Sequence, residues 1–127
     1  MNKEGKKKIE SFKDLVVWQK GHRLVLAIYK VTSNFPDEEQ YGLTSQLRRC
    51  AVSITSNITE GFARKHRKEK IQFLYLALGS LTELQNQITI AHDVGFLKEK
   101  ELKTITKKTI EVSKLINGSI KAIKDNT

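Results

Sequence analysis

The sequence predicts an all-α fold, an antiparallel up-down-up-down four-helix bundle, on three observations. Four stretches carry apolar residues at three- and four-residue spacing. The 127 residues include only 1 Pro and 7 Gly, too little punctuation for a turn-rich β fold. Nothing alternates with period two over a strand's length, so no sheet is needed. Short breaks separate the four stretches, which favours antiparallel neighbours. The length leaves no room for two sizeable cores: residues 1–11 read as a disordered basic tail and 12–127 as a single domain.

The first helix is expected from about Asp14, a first-turn acid or N-cap, to Ser33. Leu15, Trp18, Val25, Ile28 and Tyr29 form its core stripe, and Lys13, Lys20, Arg23 and Lys30 fall on another face. Phe35-Pro36-Asp37 ends it, because the residue before proline avoids the α region. The second helix is expected from about Leu43 to Phe62. Leu43, Leu47, Cys50, Ala51, Ile54, Ile58 and Phe62 share one apolar face. Its opposite face carries Ser45, Arg49, Val52, Ser53, Ser56 and Glu60, mostly small and without Lys. Small residues let another backbone approach, so this face reads as a second packing surface, and Gly61 as the exit turn.

The third helix is expected from about Arg67 to Val94, stopped by Gly95. Ile71, Phe73, Leu74, Leu78, Leu81, Leu84 and Ile88 lie on one side, Leu76 and Ile90 on another. A helix apolar nearly all round is buried on more than one side, and self-association is the natural resolution. The fourth helix is expected from about Lys98 to Lys124. Leu102, Ile105, Val112, Ile116, Ile120 and Ile123 face the core; Lys103, Lys107, Lys114 and Lys121 form a stripe opposite.

Lys and Arg total 23 and Asp and Glu 14, a net charge of +9. Such a field attracts polyanions, nucleic acid before an anionic membrane; the alternative is a merely soluble basic surface. The single cysteine, Cys50, excludes an intrachain disulfide scaffold and fits a reducing compartment and a small core residue. The longest apolar run, Phe73 to Leu78, is too short to cross a bilayer, and no apolar signal core follows the Lys-rich N-terminus. A cytoplasmic chain with no membrane partner is expected.

Phe12-Lys13-Asp14-Leu15-Val16-Val17-Trp18-Gln19-Lys20 resembles the opening of a small family encoded within bacterial 23S rRNA intervening sequences. Tyr41-Gly42-Leu43-Thr44-Ser45-Gln46-Leu47-Arg48-Arg49 is similar to its second signature, continued by Ser53-Ile54, Ser56-Asn57-Ile58 and Glu60-Gly61. Phe73-Leu74-Tyr75-Leu76-Ala77-Leu78-Gly79-Ser80-Leu81, with Glu83-Leu84 and Gln87, resembles the third. The resemblance implies a four-helix bundle closing as a homo-oligomer, a homopentamer in relatives. More distantly, the chain resembles the accessory variability protein of diversity-generating retroelements, a basic pentameric barrel that binds nucleic acid and a reverse transcriptase. Thr55 and Thr59 stand where the family often has Pro and Ala, which predicts a straighter second helix here.

The densest basic cluster, Arg64, Lys65, Arg67 and Lys68 extended by Lys70, lies between the second and third helices. It reads as a phosphate-contacting corner repeated around an oligomer, or as a solvated loop. No stacking aromatics are interleaved there, which favours backbone contact over base readout. The fourth-helix lysine stripe reads as a solvated face. Arg49, Ser53, Asn57 and Glu60 on the second helix, with Glu83 and Gln87 on the third, are the candidate oligomer contacts. A carboxylate among apolar residues needs a partner, and Arg49 with Glu83 or Glu60 is the candidate pair. His22, His66 and His92 are scattered, and no metal-ligand, nucleotide-loop or nucleophile pattern is present. No metal, cofactor or catalytic residue is expected. The sequons at Asn57 and Asn117 read as chance matches. The expectation is a non-enzymatic oligomeric bundle that binds RNA or DNA; the alternative is a protein-interaction scaffold with no nucleic-acid role.

Overall fold

In the computed structural model the described residues, 8–126, form four helices: α1 Val16–Thr32, α2 Leu43–Ala63, α3 Arg67–Asp93 and α4 Glu99–Asp125. Short 3₁₀ turns at Phe12–Asp14 and Asp37–Glu39 precede α1 and α2, and no strand occurs among the described residues. The helices pack in a cycle, α1 on α2, α2 on α3, α3 on α4 and α4 back on α1. The α2–α3 and α1–α4 seams therefore lie on opposite sides of the bundle. Neighbours run in opposite senses: Ser53 meets Ser80 and Gly61 meets Lys70, while Gln85 meets Thr109 and Arg67 meets Asn126.

Each helix starts and stops for local reasons. Ser11 opens the first 3₁₀ turn, its hydroxyl accepting from the Lys13 amide. The Asp14 carboxylate accepts from the Glu10 and Ser11 amides at 2.8 and 3.2 Å. Asp14 thus caps this turn and not α1, whose N-cap is Leu15. Ser11 is part of this turn, and residues 1–7 of the expected tail lie outside the described residues. Gly95 ends α3 at φ +91°, a left-handed conformation that glycine adopts without a Cβ penalty. The Phe96 amide then returns to Ala91 O at 2.8 Å. Phe96 packs on Phe35, ring centroids 5.7 Å apart, so the α1–α2 and α3–α4 connections close one end of the bundle together. At the same end His92 joins α3 to α4: Nε2 meets Glu99 at 2.7 Å and Nδ1 meets Asp93 at 3.0 Å.

The core follows the expected faces with two corrections. On α1 the buried positions are Val17, Gly21, Leu24, Val25, Ile28 and Thr32. Leu15 and Trp18 pack at its edge, and Tyr29 is 42% exposed. Tyr29 lies one residue, ~100°, beyond Ile28 and so turns off the core face. On α2, Leu47, Cys50, Ala51, Ile54 and Ile58 are buried, but Phe62 is exposed at the end of the bundle, beneath the Lys70 ammonium. On α4, Ile105, Val112, Ile116 and Ile120 are buried, each contributing roughly 1.5–3 kcal/mol on removal from water. Lys103, Lys107, Lys114 and Lys121 are all exposed.

Close packing explains two glycines. A Cβ at Gly21 would stand 3.0 Å from Thr55 Cγ2, so α1 crosses α2 at that point with no room for a side chain. A Cβ at Gly61 would stand 3.2 Å from both Lys70 O and Phe73 Cβ. Gly61 stays helical, and its role is the close approach of α3, not an exit turn. With Thr55 in place of a proline, α2 runs unbroken from Leu43 to Ala63.

Candidate functional site

The basic corner sits where α2 hands over to α3, and most of its cations are already engaged. Arg64 Nη2 donates to Glu60 Oε2 at 2.9 Å, and its guanidinium lies 4.6 Å over the Phe73 ring. Arg67 Nη1 donates to the Asn126 carbonyl, tying the start of α3 to the end of α4. Lys70 Nζ donates to Phe62 O at 2.9 Å and more weakly to Gly61 O at 3.4 Å, satisfying carbonyls that the end of α2 would leave open. Lys65 and Lys68 alone point to solvent with no hydrogen bond or ion pair among the described residues. The corner is thus a structural joint with two free ammonium groups.

The small-residue face of α2 is divided between a neighbouring helix and an open groove. Half of it meets α3 of the same chain. The Ser53 and Ser80 hydroxyls are 2.8 Å apart, Asn57 Nδ2 donates to Ser53 O at 2.8 Å, and the Cys50 thiol donates to Ser80 O at 3.0 Å. Burial first, and the Glu83 charge second, push the Cys50 thiol up to about 11, so it stays protonated. Glu60 pairs with Arg64, and Glu83 accepts from Gln87 Nε2 at 3.2 Å. The expected Arg49 pair with Glu60 or Glu83 does not form within the chain. Arg49 and Glu83 instead line one polar cleft of about 340 Å³ together with Ser53, Ser80 and Gln87. Gln87 is 7% exposed, and its Oε1 has no partner there.

The other half of the face points outward. Arg49, Val52 and Ser56 border an open groove of about 650 Å³ that reaches Tyr29, Tyr41 and Arg48. Arg48 lies 4.7 Å over the Tyr29 ring and donates to the Thr32 hydroxyl at 2.9 Å. Tyr41 is 91% exposed. The sequence pattern hides this groove, because spacing puts Tyr29 in the core and Tyr41 lies in a connection outside any apolar stripe. On α3, Leu76 is 51% exposed and Ile90 is exposed as well, and Val94, just past its end, is 56% exposed. No Lys occurs anywhere in α2, and neither Lys nor Arg from Ile71 to Asp93 in α3.

The opposite seam has the reverse character. Within the helices α1 carries Lys20, Arg23 and Lys30 with no acid, and α4 carries seven Lys against four carboxylates. Lys20 meets Glu111 at 3.5 Å across the seam. Among the described residues no three His, Cys, Asp or Glu side chains group to hold a metal, and no helix is long and apolar enough to cross a membrane.

Comparison with known proteins agrees with this architecture. No curated protein matches the chain. The crystal structure of a protein with unknown function from the S23 ribosomal protein family of Bacteroides thetaiotaomicron matches with a TM-score of 0.75 at 24% identity, covering 84% of this chain and 99% of that one. That likeness establishes the four-helix fold. The model of the 23S rRNA-intervening sequence protein family matches residues 13–118, which take in nearly all of the three signature segments and every helix but the end of α4. The chain therefore belongs to the 23S rRNA-intervening sequence protein family.

Proposed function

We propose that this chain is a non-enzymatic cytoplasmic protein that assembles as a homo-oligomer, a ring of five by resemblance, and binds RNA or DNA through the basic surface the ring repeats. One observation carries the reading: the lopsided surface. The outer α2–α3 face is free of lysine and exposes Val52, Leu76, Ile90 and Val94, although the chain as a whole carries +9. Subunits of like charge associate only where the contacting faces carry little of that charge. Tyr and Arg, which line the adjoining groove, are the residue types enriched at interface centres. Arg49 and Glu83, unpaired with one another within the chain, supply charges that a neighbouring copy complements; Ser53 and Gln87 line the cleft between them, and Asn57 and Glu60 continue the same contact along α2.

Assembly multiplies the cations presented to one polyanion, Lys65 and Lys68 of each corner included, and counterion release then makes affinity fall steeply with salt. Sedimentation velocity at micromolar concentration tests the assembly: wild type is expected as one defined oligomer, and Leu76→Glu as a helical monomer. A wild-type monomer overturns it. An electrophoretic shift that weakens with salt supports the nucleic-acid half of the reading; no shift at low salt leaves the scaffold alternative.

A further inference from the structure

We propose that the α1–α4 seam, and not the corner between α2 and α3, is the main docking surface for double-stranded nucleic acid. This rests on the nucleic-acid reading above and locates it. Two clefts lie along the seam, of about 340 and 410 Å³, and Thr104 and Lys108 border both, so they are adjacent. Lys30 from α1 and Lys100, Lys107 and Lys108 from α4 border them. None of these four has a hydrogen bond or an ion pair from its side chain among the described residues, whereas Arg64, Arg67 and Lys70 of the corner are all bonded. The two carboxylates at the seam are held locally: Glu101 accepts from the Lys98 amide at 2.9 Å and Glu111 meets Lys20.

The geometry suits a polyanion of fixed shape. Lysines from two helices flank a trough, so they reach phosphates on either side of it. From Lys100 to Lys108 the helix rises ~12 Å, long enough to meet several phosphates of a duplex that carries one charge per ~1.7 Å of axis. No aromatic side chain lines either cleft, which removes the stacking platform that single strands use. The Thr104 hydroxyl between the cations donates to Lys100 O at 3.0 Å, so the contacts to phosphate oxygens fall to the lysines. The seam lies on the opposite side of the bundle from the α2–α3 face, and the two surfaces share no helix.

Fluorescence anisotropy of a labelled mixed-sequence duplex, titrated with the full chain across a salt series, tests this. The seam variant is Lys30→Gln, Lys100→Gln, Lys107→Gln and Lys108→Gln together; the corner variant is Lys65→Gln with Lys68→Gln. The seam variant is expected to bind at least ~10-fold more weakly at low salt, with a salt slope shallower by roughly 0.9 for each phosphate it no longer neutralises. The corner variant should bind less than ~3-fold more weakly, and a seam Lys→Arg quadruple should bind like wild type, its charge being kept. Circular dichroism and sedimentation confirm that fold and assembly are unchanged; should the quadruple Gln variant misfold, Lys107→Gln with Lys108→Gln takes its place with a ~3-fold or larger weakening expected. Wild-type binding with the seam variant unchanged overturns the seam and leaves the nucleic-acid reading standing. No wild-type binding of duplex or single strand at low salt overturns that reading and the seam with it.

Discussion

Gly61 and Gly118 are both helical glycines, yet alanine at the two should move stability in opposite directions. At Gly118 nothing lies within 4 Å of a new Cβ, so alanine only narrows the unfolded ensemble and improves helix propensity. Gly118→Ala is expected to raise unfolding free energy by about 0.5–1 kcal/mol in urea titration. At Gly61 the new methyl meets a backbone carbonyl and Phe73 Cβ at 3.2 Å, so α3 must shift, at about 1–3 kcal/mol. His92 adds a pH-dependent contribution. The hydrogen bond to Asp93 raises its pKa above the ordinary 6.5, opposed by desolvation and supported by the Glu99 charge. A raised folded-state pKa stabilises fully below the unfolded value and is lost as pH rises through the folded one. His92→Gln should therefore lower the melting temperature most between about pH 5 and 6.5 and least near about pH 9.

At the scale of elements, the α1–α2 crossing depends on a glycine and a methyl group in contact. Gly21→Ala puts a Cβ 3.0 Å from Thr55 Cγ2 and should destabilise by about 1–3 kcal/mol. Thr55→Ser removes that methyl, so the double variant should recover part of the stability, a non-additive cycle readable by denaturant unfolding. A stable, additive double variant would show that the two helices part without cost there.

All four helices are legible in the sequence because each carries its own period and its own stop, Gly95 being the plainest. Spacing alone misplaces Tyr29, because a stripe drawn that way can be rotated by one residue, and it does not show that Phe62, on the same stripe as Ile58, lies at the end of the bundle. The corner is legible as charge but not as structure. Its one local signal is the i,i+4 spacing of Glu60 and Arg64. The bonds of Lys70 to the end of α2 and of Arg67 to Asn126 are tertiary and leave no mark in a linear pattern. The α1–α4 seam is illegible for the same reason, since Lys30 and Lys108 become neighbours only once α4 packs back on α1.

For the whole molecule, charge segregation links assembly to ionic strength. If the α2–α3 faces join, the +9 of each copy is gathered on one assembly, and salt should favour assembly by screening that repulsion while it weakens polyanion binding. The melting temperature of wild type should rise with protein concentration, because association binds only the folded state. Leu76→Glu should remove that concentration dependence without changing the helical signal; a melting temperature independent of concentration in wild type would argue against assembly.

Cys50 makes the α2–α3 seam observable in time. Its sulfur is buried, donates to Ser80 O, and stays protonated until about pH 11, so in the closed bundle it is a poor nucleophile. Alkylation must await a moment when the two helices part and the thiol regains its ordinary acidity. The rate at which a small maleimide or disulfide reagent captures Cys50 is therefore a clock for seam opening, read in the native protein with no label added. Any subunit contact that covers this seam should slow the clock, and Gly61→Ala, by holding α3 away from α2, should quicken it.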